Sequence, residues 1–122
     1  MRNLKIFVIC PVRNADESEK KYIKDFINRL KVDNEVYYPA EDTDQVDPIG
    51  YRICQDNAKA IAESDAVFIF WNADSKGSLF DLGVAFALNK PLCIINHEDI
   101  VPTDGKSFTN MISEWERRNS VW

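Results

Sequence analysis

Apolar residues along this chain fall into four short, nearly unbroken runs, and the stretches between them switch to a helical rhythm. Lys5-Ile6-Phe7-Val8-Ile9-Cys10 ends at Pro11, and Glu35-Val36-Tyr37-Tyr38 is stopped by Pro39. Ala66-Val67-Phe68-Ile69-Phe70-Trp71 and Pro91-Leu92-Cys93-Ile94-Ile95-Asn96 complete the set. Continuous apolar runs of this length are how strands covered on both faces of a parallel sheet read, because neither face is left for polar residues. From 18 to 31, Tyr22, Ile23, Phe26, Ile27 and Leu30 recur at helical spacing with Lys and Asp opposite them. Ser18, among Asp16, Glu17 and Glu19, marks the N-cap region of that helix. Ile53, Asn57 and Ile61 stand four apart in a helix predicted over 48–63, and Leu79, Leu82, Ala85 and Phe86 carry another over 78–89. A last helix spans 107–119. Residues 41–47 and 97–106 are polar and without period, so both read as loops.

Strands alternating with helices imply one parallel sheet joined by right-handed crossovers. The expected fold class is α/β: a flavodoxin- or Rossmann-like doubly wound parallel sheet, in a single three-layer αβα domain over residues 1–122. Such a sheet binds its ligand beyond the carboxyl ends of the strands, where the strand order reverses. With the first strand central, that crevice is expected between the turn after Cys10, the turn after Trp71 and the loop after Asn96.

Composition narrows the chemistry. A formal charge of -5, with the 15 basic residues scattered, argues against nucleic acid or an anionic membrane as partner. No apolar run approaches the roughly 20 residues of a membrane-spanning helix. Met1-Arg2-Asn3-Leu4-Lys5 leads into a strand rather than a signal segment, so a cytoplasmic location is expected. Cys10, Cys54 and Cys93 are odd in number and widely spaced, which suits reduced, mostly buried thiols rather than a zinc site or a disulfide framework. His97 is the only histidine, which removes multi-histidine metal sites; it reads as an exposed loop residue. The acidic stretch Glu41-Asp42-Thr43-Asp44 to Asp47 lacks the spacing and glycine of a calcium loop and reads as solvated. No metal and no organic cofactor is expected.

Chemistry-bearing residues gather at the strand ends. Cys10-Pro11-Val12-Arg13-Asn14 has no glycine, so it is neither a dinucleotide cradle nor a Walker loop, but the Arg13 guanidinium suits a phosphate or carboxylate. Asn72-Ala73-Asp74-Ser75-Lys76-Gly77-Ser78 opens a helix, offering backbone N–H groups and the positive end of its dipole, with Gly77 allowing close approach. Asp81 lies just inside that helix, between Phe80 and Leu82 and ahead of Gly83-Val84-Ala85-Phe86-Ala87. A carboxylate on the sheet-facing side of so apolar a helix should be partnered or functional.

Asp65-Ala66-Val67-Phe68-Ile69-Phe70 and Gly77-Ser78-Leu79-Phe80-Asp81-Leu82-Gly83-Val84-Ala85-Phe86-Ala87-Leu88-Asn89-Lys90-Pro91 resemble the nucleoside 2-deoxyribosyltransferase superfamily, which includes the 2'-deoxynucleoside 5'-monophosphate N-glycosidases. Ile6 to Arg13 is similar to that family's first strand and phosphate turn. Phe108-Thr109-Asn110-Met111-Ile112 resembles its late loop, which reaches into a neighbouring subunit's site. The resemblance spans about residues 5–115. It implies that Asp81 stands in place of the family's nucleophilic glutamate, one methylene shorter, and that Asn57 replaces an aspartate that handles protons on the departing base. Asp56, next door, is the alternative for that second role. Phe7 replaces a tyrosine of the N-glycosidase branch. Arg13, Ser75 and Gly77 match positions that hold a 5'-phosphate there, with Pro11, Ser78, Thr109 and Asn110 as further substrate contacts.

The implied ligand is a nucleoside or nucleoside monophosphate, and the implied assembly a homodimer or higher homo-oligomer. The leading expectation is therefore N-glycosidic bond cleavage or base transfer on a (deoxy)nucleoside 5'-monophosphate, through a carboxylate nucleophile. Its rival is a non-catalytic or divergent nucleotide-sensing module on the same scaffold, for which the residues at 7, 57 and 81 argue. A receiver-type signalling domain would need an acidic pair after the first strand, where this chain has Cys10-Pro11.

Overall fold

Four strands, β1 (Lys5–Ile9), β2 (Glu35–Tyr37), β3 (Ala66–Ile69) and β4 (Leu92–Ile94), pair in parallel in the order β2-β1-β3-β4. The structure is a computed structural model and describes residues 3–12 and 15–121. Phe7 pairs with Tyr37 on one side and Val67 on the other, and Ile69 pairs with Ile94. The helices are α1 (Glu17–Leu30), α2 (Pro39–Asp42), α3 (Tyr51–Glu63), α4 (Lys76–Ala87) and α5 (Phe108–Arg118), with a 3-10 turn at His97–Asp99.

Side chains alternate across the sheet and give it two cores. Ile6, Val8, Phe68 and Cys93 meet Ile23 and Ile27 of α1. Phe7, Ile9, Val67, Ile69, Leu92 and Ile94 meet Ile61 of α3, Leu82 and Ala85 of α4, and Ile112 and Trp115 of α5. The result is three layers. Each fully buried Ile, Leu or Phe stabilises the fold by roughly 1.5–3 kcal/mol relative to exposure, which is why runs apolar on both sides became the strands. After α5 the chain returns beside β4, where the Leu92 N–H donates to the Asn119 carbonyl at 2.9 Å. Among the described residues no helix is long and apolar enough to cross a membrane.

Element ends differ from the expectations in instructive ways. The N-cap of α1 is Asp16 rather than Ser18: its carboxylate accepts the Glu19 N–H, and Glu19 reaches back to close a capping box. Pro39 does more than stop β2, because it opens α2 at the first helical position, where a missing N–H and a fixed φ cost nothing. That short turn is held by the Asp42 carboxylate, which accepts the Tyr38 N–H at 2.7 Å. Residues 41–47 are thus not one open loop. α3 begins at Tyr51 rather than at 48, after Gly50 at φ 88°. The Asp47 carboxylate satisfies the N–H groups of Ile49, Arg52 and Ile53 there, at 3.2, 2.9 and 3.2 Å. α4 starts at Lys76, two residues earlier than 78, because the Ser75 hydroxyl caps it by accepting the Ser78 N–H.

Candidate active site

The strand order reverses between β1 and β3, and a cavity of about 420 Å³ opens at their carboxyl ends. Cys10 and Val12 come to it from the end of β1, and Pro39 and Gln45 from the connection between β2 and α3. Ile53, Cys54 and Asn57 of α3 form a second wall, and the turn from Asp74 into α4, with Phe80 and Asp81, forms the third. The loop after Asn96 does not line it, contrary to the expectation. That loop is tied elsewhere, since His97 Nε2 lies 2.7 Å from Glu116 Oε1 and the Asn110 amide grips Thr103 and Gly105. His97 is exposed, as its loop position suggested.

Asp81 sits in the second turn of α4, and only 7% of it is exposed. Burial pushes its carboxyl up to about 7, while a hydrogen bond from the Asn57 side chain pulls the other way. No Lys, Arg or His among the described residues forms an ion pair with it. Beside it, the Cys10 thiol is pushed up to about 12 by its own burial and then by the negative charge of Asp81. Cys10 is therefore a neutral wall rather than a nucleophile. Asn57 is buried too, and its Oδ1 accepts the Thr43 hydroxyl at 2.8 Å; Thr43 Oγ1 lies 2.6 Å from the Tyr37 hydroxyl.

Of the other expected site residues, Ser75, Gly77 and Ser78 all line the cavity. The Ser75 hydroxyl is committed to the helix start, accepting from Ser78 N–H at 3.2 Å and donating to Ser78 Oγ at 2.9 Å. A Cβ built at Gly77 meets nothing within 4 Å, so the packing of the chain itself does not demand glycine there. Pro11 is buried between Cys10 and Val12. Arg13 lies outside the described residues.

The remaining residues are not brought to this cavity. Asp56 turns to a shallow depression of about 550 Å³ along the β2 edge and pairs with Arg52 at 2.6 Å. Phe7 is wholly buried beneath the sheet, stacked on Tyr37 with ring centroids 5.4 Å apart. Thr109 Oγ1 accepts the Trp71 indole N–H at 3.2 Å, and Asn110 holds its own loop. The structure also adds residues that sequence reasoning missed. Thr43, Gln45 and Ile53 surround Asn57 and Asp81, and Gln45 Nε2 donates to the Pro39 and Thr43 carbonyls at 2.9 and 3.2 Å. No periodic signal marks Thr43 or Gln45, because each acts through hydrogen bonds from irregular backbone.

No protein-family model and no curated protein matches the sequence. Solved structures do match. A 2-deoxyribosyltransferase of Bacillus psychrosaccharolyticus is 21% identical, with a TM-score of 0.67 over 90% of this chain and 80% of that one. A CMP N-glycosidase of Clostridium botulinum is 26% identical, with a TM-score of 0.54 over 74% of this chain and 66% of that one. Both neighbours belong to the nucleoside deoxyribosyltransferase superfamily, so the α/β fold of this chain is the fold of that superfamily. The two structures are those of a glycosyl-transferring and a glycosidic-bond-cleaving protein, the same superfamily that the Asp65–Pro91 segment resembles.

Proposed function

We propose that this chain cleaves, or transfers the base across, the N-glycosidic bond of a (deoxy)nucleoside 5'-monophosphate, with Asp81 as nucleophile. One observation carries the reading. Asp81 is a buried carboxylate without a cationic partner among the described residues, on the wall of the switch-point cavity, at a pKa near neutrality. An acid held so far above its ordinary range is a stronger base and nucleophile when ionised, and a dry wall strengthens its attraction to a developing oxocarbenium ion. An Asp81 oxygen bonds to C1' as the bond from C1' to the base nitrogen breaks. The base leaves with that electron pair and takes a proton from solvent. Water, or a second base, then attacks C1' and frees the carboxylate, the two-step logic of retaining glycosidases. The fold likeness to a transferase and a glycosidase supports this reaction class.

The monophosphate part rests on the Ser75–Ser78 helix start beside the cavity, together with Arg13. Charge-assisted hydrogen bonds of that kind are worth roughly 1.5–3 kcal/mol, so calorimetry should show a monophosphate binding at least about tenfold tighter than its nucleoside. The main test is release of free base from a panel of nucleoside monophosphates, followed by chromatography. Wild type should release base, Asp81→Asn should not, and Asp81→Glu, which restores the longer reach, should equal or exceed wild type. Turnover that survives in Asp81→Asn removes the nucleophile. A wild type inert on the whole panel while still binding monophosphate transfers the assignment to a nucleotide-sensing module.

A further inference from the structure

Resting on that reading of Asp81, we propose that Thr43, held in turn by Tyr37, is a positioning residue that locks the Asn57 amide with only its NH2 end toward Asp81. The argument is a count of protons. Asn57 Oδ1 carries no hydrogen, so across the 2.8 Å contact Thr43 must spend its single hydroxyl proton as donor. Thr43 can then only accept in its 2.6 Å contact with Tyr37, which directs the single phenol proton there rather than to the Asp42 carbonyl at 3.4 Å. The chain Tyr37 to Thr43 to Asn57 therefore runs in one direction, and it leaves the Asn57 NH2 as the end that can donate to Asp81 across the cavity both residues line.

An amide turned end for end would set its carbonyl against Asp81, favouring the protonated acid that cannot attack. Thr43, Asn57 and Asp81 are all buried, where such bonds are strengthened and competing water is excluded. The backbone serves the same end: α2 is a single turn, fixed by Pro39 and by the Asp42–Tyr38 bond, and it delivers Thr43 to the side of α3. The other ionisable groups at this cavity are Cys10 from β1, Cys54 from α3, and Asp74 and Lys76 at the start of α4. Cys10 stays neutral through the working range, its thiol being raised by its own burial and by Asp81 rather than by Thr43 or Tyr37.

The test reads Asp81 itself. Side-chain carboxyl carbons are followed by NMR against pH, with the Asp81 signal assigned by its loss in Asp81→Asn. Thr43→Val should raise the Asp81 midpoint by about one pH unit, the scale of one hydrogen bond to an ionised carboxylate. Thr43→Ser should return it to the wild-type position, and Tyr37→Phe should raise it by less. Where base release is measurable, the acidic limb of kcat/KM should move with the midpoint while monophosphate affinity holds. A folded Thr43→Val with an unmoved midpoint overturns the proposal. If that variant does not fold, an unmoved midpoint in Tyr37→Phe does the same. A wild type that releases no base would defeat the nucleophile reading alone, since the NMR midpoints still decide whether the network holds Asp81.

Discussion

At the scale of single residues, Asp81 is kept where it costs the fold stability. Its carboxyl has an ordinary value of 3.8 and is raised to about 7 in the folded chain, chiefly by burial. A folded-state value above the unfolded one means that the native protein holds the proton more tightly. The associated stability is whole below about pH 4, drains away as pH rises toward 7, and is gone above it. Asp81→Asn keeps the shape and removes the titration. At pH 8 the variant should therefore be more stable than wild type by about 1–4 kcal/mol, the upper end being the whole linkage term at ~1.4 kcal/mol per pH unit. At pH 4 the two should differ little. Thermal melts of both proteins at both pH values check this, and a difference independent of pH would show that Asp81 is not held as a strained acid. A gain in stability paired with lost turnover is the pattern of a residue kept for chemistry.

At the scale of elements, Asn96 joins the ends of β3 and β4 beyond their ladder. Its Oδ1 accepts the Trp71 N–H at 2.7 Å, and its Nδ2 donates to the Trp71 carbonyl at 2.9 Å and to Asp99 at 3.0 Å. Wholly buried, it stands in for a missing backbone partner. Asn96→Ala should strand both Trp71 groups and lower stability by about 1–3 kcal/mol, read as a lower urea midpoint with an unchanged slope. The strands themselves were legible because β1 and β3 are covered on both faces, so their sequence is apolar throughout. The switch-point location of the cavity and the inward place of Asn57 and Asp81 followed from that order and from helical spacing. α2 and Thr43 were not legible. Pro39 reads equally as the end of a strand and the start of a helix, and the acidic residues around Thr43 carry the signature of an open loop. What holds Thr43 inside is its contact with Asn57 of α3 and Tyr37 of β2, a tertiary fact with no local trace. The same blindness placed the crevice too near Asn96, whose loop is drawn away by Glu116 and Asn110.

At the scale of the molecule, exposed apolar side chains stand next in the chain to residues that line the cavity. Val46 and Ile49, more than four-fifths exposed, flank the cavity residues Gln45 and Gly50; Tyr51 follows, and Phe80 on the facing wall is itself 46% exposed. Isolated exposed apolar side chains are ordinary, but several around one opening are characteristic of a surface that another protein covers. Phe108, at the start of α5, is also exposed, while Thr109 and Asn110 beside it do not reach their own cavity. The arrangement suits a second copy that caps each opening, which would also exclude water from Asp81. A two-fold pairing uses the same patch on both subunits, so one substitution acts twice. Light scattering at micromolar concentration should give at least twice the 14.1 kDa chain mass. Ile49→Asp places two unpaired charges in such an interface and should shift the protein toward monomer without lowering its intrinsic fold stability, because Ile49 is 88% exposed in the single chain. If base release requires the cap, its specific activity should fall with dilution, and sooner in Ile49→Asp than in wild type. A wild type of monomer mass, with activity independent of concentration, would place the whole site in one chain.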